Sequence, residues 1–256
     1  MNESIPPSPA APVPPKLTPT PDASAPLGAD AAERAPIRGI VAAIEAVLRE
    51  PRRVLFNLSQ PGSGAITAAL LVIAAVCALV YGVVVGTFSG GTQLWAAPVK
   101  IAGGLLVSAL ICLPSLFIFA CLGGSTARLG EVFGLLAGKL ALTTILLIGF
   151  APVAWVFSQS TESLGWMGVL HLAFWGIAAL FGLRFMHAGF GQLVRSGAGV
   201  KVWTVIYLLV ALQMTTALRP ILGRADTFLP AEKKFFLAHW FDTLDKAAKA
   251  EPYRQR

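Results

Sequence analysis

Three ionisable residues lie in or beside the long apolar runs of this chain: His171 in "GVLHLAFW", Lys139 in "LLAGKLAL", and Glu131 shortly before Lys139. A titratable group is costly to hold in hydrocarbon, so each is a candidate for proton, ion or ligand handling. His171 admits two readings. It either sits near an interface, hydrogen-bonded to a neighbouring backbone, or handles a proton or ligand, since imidazole changes charge near neutrality. Lys139 has a long apolar stem and is expected to snorkel to the membrane surface.

A second group is polar without charge. In "QMTTALRP", Gln213 and Thr216 fall about 60° apart on a helix and form a narrow polar stripe one turn before its end. Thr216 is expected to bond its own helix and Gln213 to bridge to a neighbour, so the stripe acts as glue at a helix exit; the alternative is the lining of a pathway. Pro114 and Pro152 each remove a backbone donor inside an apolar run. The freed carbonyls are expected to be served by Ser115, Thr143, Thr144 or an adjacent helix. They act as kinks or, in the alternative, as the paired broken helices of a transporter. Gly130, Gly134 and Gly138 recur at four-residue spacing and give one bare helix face for close packing.

Familiar catalytic arrangements do not emerge. "PGSG" at 61–64 contains a Gly-Ser-Gly but lacks the strand-turn-helix setting of a nucleophile elbow, and no HExxH or phosphate-cradling loop occurs. Cys77, Cys112 and Cys121 lie inside apolar runs without metal-type spacing and read as small packing residues. We therefore expect no catalytic residue, no cofactor and no metal ligand, and a protein that is not an enzyme.

The elements that must position these residues follow from composition. Of the 256 residues 55% are hydrophobic and 13% charged, which indicates a membrane protein. A helix needs about 20 apolar residues to cross the hydrocarbon core. Five runs meet this requirement: 65–88, 101–122, 140–157, 165–183 and 202–218. The expected fold is all-α, a polytopic transmembrane bundle spanning residues 65–218, with amphipathic helices on either side. The third helix is allowed to begin near Arg128, which would put Glu131 and Lys139 in an early interfacial turn.

Residues 1–36 hold ten of the eighteen prolines and read as a disordered tail with no secretory h-region. Residues 37–60 form the first amphipathic segment. Its apolar stripe is Ile37, Ile40, Val41, Ile44, Val47 and Leu48; Pro51 ends the helix, and Arg52 and Arg53 suit an anionic membrane surface. Residues 219–256 form a second amphipathic segment that lies on the membrane or docks on the bundle or a partner. Basic residues cluster before the first run and between the second and third and the fourth and fifth, while the other loops carry only Lys100. The positive-inside rule then places the N-terminus inside and, with five spans, the C-terminus outside. The basic residues after Leu218 pull against that last assignment.

The amphipathic "IVAAIEAVLREPRRVLFNL" ahead of five close-spaced runs, with the glycine-rich "CLGGSTARLGEVFG" after the second, resembles bacterial Yip-domain membrane proteins over roughly residues 37–218. The resemblance lies in layout and implies an integral protein of the bacterial cytoplasmic membrane. Eukaryotic Yip proteins associate with Rab GTPases, but no residue here carries such a contact over. The expectation is a non-enzymatic accessory or scaffold protein whose environment is the lipid bilayer and whose partner is a membrane protein or a second copy, with no nucleic acid. A permease for small solutes or ions is the alternative, and it requires His171, Pro114, Pro152, Gln213 and Thr216 to converge.

Overall fold

A computed structural model describes residues 25–161, 164–193 and 197–218. All regular elements among them are helical: α1 (Ala31–Arg34), α2 (Ile40–Arg49), α3 (Pro51–Ser59), α4 (Gly64–Ser89), α5 (Gln93–Leu122), α6 (Leu129–Ser160), α7 (Leu164–Leu193) and α8 (Ala198–Ala217). The last five are long and apolar enough to cross a membrane. The all-α, five-span expectation therefore holds, and the expected second amphipathic segment, 219–256, lies outside the described residues.

The five long helices pack as a ring in the order α4, α5, α8, α7, α6, with α4 most extensively packed, against α6 and α5, and with α7 and α8 touching only briefly. Glycine makes the tightest crossings possible. A Cβ on Gly82 would run into the Cα of Pro98, and one on Gly182 would run into Thr143 Oγ1. Bare backbone at these positions brings α4 against α5 and α6 against α7. The α4–α5 connection is equally tight, turning through Gly90 (φ 63°) and Gly91 (φ 57°), a region that side chains rarely adopt.

α2 and α3 cap one end of the ring, packing on α4 and α6; we call this the near end and the opposite one the far end. Pro51 both closes α2 and opens α3, where its missing N–H costs nothing. Residues 37–60 are thus two helices rather than one. The buried face of α2 takes only part of the expected stripe: Val47 is buried, and Ile44, with Ile37 just ahead of the helix, is partly buried against the core. Ala43, Ala46 and Val47 face the bundle, because alanine permits close approach, while Ile40, Val41 and Leu48 are 50%, 80% and 47% exposed.

The tail expected over 1–36 is corrected at its C-terminal part, while 1–24 lie outside the described residues. Residues 25–36 are bound to α3. Arg52 pairs with Glu33 and donates to the carbonyl of Ala25, and Arg53 donates to the carbonyls of Ala35 and Pro36. Asn57 donates to Ala35 as well. These side chains therefore anchor the preceding segment rather than simply facing lipid headgroups.

Candidate functional site

The ring encloses an interior that differs between its two halves. In the near half it is filled. Lys139 lies ten residues into α6, about 15 Å along the helix at 1.5 Å per residue, so it has no short route to the surface. It is 1% exposed, and its Nζ sits 3.4 Å from the ring centroid of Tyr207 on α8. Snorkelling is therefore overturned: an aromatic face covers the ammonium inside the bundle. Tyr207 stacks on Trp203, whose Nε1 donates to the carbonyl of Cys112 on α5 at 2.9 Å. Leu116, Leu136, Met186 and Phe190, each at most 1% exposed, complete the packing.

In the far half the interior opens into a cavity of about 250 Å³, lined by residues from all five long helices. Its polar lining is Tyr81, Lys100, Ser108, His171 and Thr215; the remainder is apolar, including Trp175. His171 is seven residues into α7, and its Nδ1 lies 2.7 Å from the Tyr81 hydroxyl on α4. The rings meet edge to face at 84°. A phenol is a better donor than a neutral imidazole N–H, so the Tyr81 hydroxyl donates and the proton of His171 resides on Nε2. That Nε2 is buried and has no hydrogen-bond partner among the described residues. Ser108 and Thr215 donate to the carbonyls of Gly104 and Leu212 in their own helices, which leaves their oxygen lone pairs as acceptors.

Of the residues singled out from sequence, the structure brings His171 alone to this cavity. Its partner is Tyr81 rather than a neighbouring backbone group. Pro114, Pro152, Gln213 and Thr216 do not line it. Thr216 is buried and its hydroxyl reaches the Leu212 carbonyl at 3.4 Å, as expected for a threonine satisfied within its own helix. Gln213 is half-buried on α8. α5 and α6 continue through Pro114 and Pro152. The hydroxyls expected to serve the freed carbonyls bond elsewhere: Ser115 to Cys112, Thr143 to Lys139 and Thr144 to Leu140.

The glycine face on α6 divides. A Cβ on Gly134 would press on Leu58 of α3 and Thr67 of α4, and one on Gly138 on Phe185 of α7, while Gly130 has open space. Glu131 sits in the first turn of α6, where a carboxylate complements the helix dipole.

Lys100 is the residue that sequence reasoning misplaced. The apolar run beginning at Ile101 puts it in a preceding loop, whereas α5 begins at Gln93 and carries Lys100 inward at 2% exposure. The signal was available: "LWAAPVK" before the run is apolar apart from this one charge. Tyr81 was missed as the partner of His171 because nothing local links them.

No family model matches this chain, and searches of curated proteins and of solved structures return no match. Among the described residues no group of three or more His, Cys, Asp or Glu is placed to hold a metal ion.

Proposed function

We propose that the protein is a non-enzymatic accessory or scaffold component that acts through a protein partner, another membrane protein or a second copy, in the bacterial cytoplasmic membrane. The observation that carries this reading is the packed near half. Lys139, Tyr207, Trp203 and Leu116 tie α6, α8 and α5 into a filled core between the far cavity and the near end. Such a body presents fixed outer faces rather than a lane for solute. α8 has the smallest buried share of the five spans, and it exposes Val202, Val205, Ile206 and Leu209 at the i, i+3, i+4, i+7 spacing of a helix-pairing stripe. The layout shared with bacterial Yip-domain proteins supports the same reading. So does the exposed Ile40, Val41 and Leu48 face of α2 at the near end, suited to the headgroup layer. The positive charges flanking the near end support an orientation with that end, and the N-terminus, inside.

The test is a photo-crosslinking residue at Val205 in intact membranes, with the same residue at Val83 on α4 as a comparison. A discrete protein adduct specific to Val205 supports the partner reading. Lipid adducts alone at both positions overturn it.

A permease is the second reading, and the cavity around His171 favours it. Protein-dependent, saturable uptake of a small ion, amino acid or sugar into proteoliposomes, lost in His171→Ala, would replace the scaffold reading.

A further inference from the structure

Residues 25–36 are held on α3 chiefly by polar contacts. Only Gly28 and Glu33 are buried in this segment, Leu27 is its one large apolar side chain packed on the core, and most of the rest is exposed. Glu33 accepts from the Gly28 N–H at 2.6 Å and from Arg52. Arg52 also donates to the carbonyls of Ala25 and Pro26, and Arg53 to those of Ala35 and Pro36. Two guanidinium groups, 21% and 23% exposed, thus take a carboxylate and four carbonyls from the segment. Pro51 joins α3 directly to α2, whose exposed Ile40, Val41 and Leu48 suit the headgroup layer. Arg52 and Arg53 therefore stand beside the part of the chain best fitted to meet lipid phosphates. A phosphate meets a guanidinium with two parallel bonds and a full opposite charge, which the carbonyls of the segment lack. The segment itself carries two acids, Asp30 and Glu33, against one base, Arg34, so an anionic leaflet repels it while attracting the arginines beneath it.

We infer that Arg52 and Arg53 form a binding site for the phosphate of an anionic membrane lipid, and that residues 25–36 occupy this site as an exchangeable strap. Gly39 stands between the strap and α2 at φ 88°, with no atom within 4 Å of where a side chain would begin, and it supplies a pivot that leaves α2 in place. Each arginine gains about fivefold in binding near an anionic leaflet, so two arginines suffice to displace a strap that buries so little apolar surface. The exchange converts the charge of the surrounding lipid into the position of the strap. Free phosphate offers the same chemistry without the concentration that the leaflet provides.

The test compares the full-length chain in zwitterionic nanodiscs and in nanodiscs enriched in phosphatidylglycerol, at one ionic strength. Hydrogen exchange of the Gly28 and Ala32 amides, held by Glu33 and Asp30, should rise about tenfold with phosphatidylglycerol, while exchange in α4 stays the same. Phosphatidylglycerol with a photoactivatable headgroup should attach within α3. Those adducts should increase in Glu33→Gln, which takes the carboxylate from the strap and leaves both arginines, and should vanish when Arg52→Gln and Arg53→Gln are combined. Inorganic phosphate added to zwitterionic nanodiscs should leave exchange unchanged. A nanodisc offers the same lipid to both faces, so the result does not depend on which end of the bundle is inside, nor on a protein partner. Exchange of residues 25–36 that ignores lipid charge overturns the inference. So does equal acceleration by inorganic phosphate, or persistence of the α3 adducts in the folded double variant. If that variant does not assemble, Glu33→Gln decides alone: adducts no more abundant than in the unmodified chain overturn the inference.

Discussion

Tyr81 on α4 and His171 on α7 are 90 residues apart in sequence and 2.7 Å apart in space, and their hydrogen bond crosses the far cavity between two helices that are not neighbours in the ring. Removing one partner strands the other. Tyr81→Phe leaves both imidazole nitrogens without partners among the described residues and is expected to destabilise the protein by about 1–3 kcal/mol. The double change Tyr81→Phe with His171→Phe should recover most of that loss. Reversible unfolding in detergent of the four proteins of this cycle measures the coupling; strict additivity would show that the bond contributes nothing.

The Lys139–Tyr207 contact makes opposite predictions for two substitutions at one position. The Tyr207 hydroxyl is buried without a partner among the described residues, while its ring covers the ammonium. Tyr207→Phe keeps the ring and removes the unsatisfied oxygen, so stability should be unchanged or higher by about 1 kcal/mol. Tyr207→Leu removes a desolvated cation–π contact worth about 2 kcal/mol and should lower it. Thermal unfolding in detergent separates the two, and equal losses would contradict the geometry.

Glycines on the ring differ in what a methyl group would meet. Gly182→Ala presses on Thr143 and on the backbone oxygen of Lys139, and overpacking of this kind costs about 1–3 kcal/mol. Gly130→Ala meets open space and should be tolerated or slightly stabilising in its helix. Membrane yield and unfolding temperature of the pair should diverge accordingly.

Anchoring of residues 25–36 is testable by proteolysis. Arg52→Gln removes the pairing with Glu33 and weakens the hold on the Ala25 carbonyl. Cleavage within this segment should accelerate several-fold while the unfolding temperature of the bundle stays within about 1 °C. Unchanged cleavage would mean that Arg53 and Asn57 suffice.

The orientation proposed for the bundle predicts that reporters fused at Pro36 and after Arg256 lie on opposite sides of the membrane, with Pro36 inside. If both report the inside, the C-terminal segment returns through the membrane or one of the five helices does not cross.

The spans were legible because crossing hydrocarbon demands length and apolarity, and both are written locally. Pro51 was legible for the same reason, as a single residue that cannot lie inside a helix without cost. Depth was not. Lys139 and Lys100 each read as surface charges because a lone cation beside an apolar run snorkels by default. What keeps Lys139 inside is a ring supplied by a helix much later in the chain, and what carries Lys100 inward is a helix that starts before Pro98 rather than after it. The four-residue glycine repeat correctly marked a face of α6, but spacing cannot say that Gly134 meets α3 and α4, that Gly138 meets α7, and that Gly130 meets nothing. His171 was recognised by its chemistry, whereas its partner and cavity arise from helices that only the packed ring brings together.

The ring that covers Lys139 also imposes an order on biogenesis. Tyr207 follows Lys139 by 207 − 139 = 68 residues, and a ribosome adds about 5–20 residues per second, so the ammonium enters the bilayer about 3–14 seconds before its cover is made. During that interval α6 has to hold a cation at membrane depth with help from water, lipid phosphates or the insertion machinery. Arrival of α8 then relieves that burden, and a nascent chain arrested before Val200 should remain bound to the insertion machinery longer than one completed through Leu218.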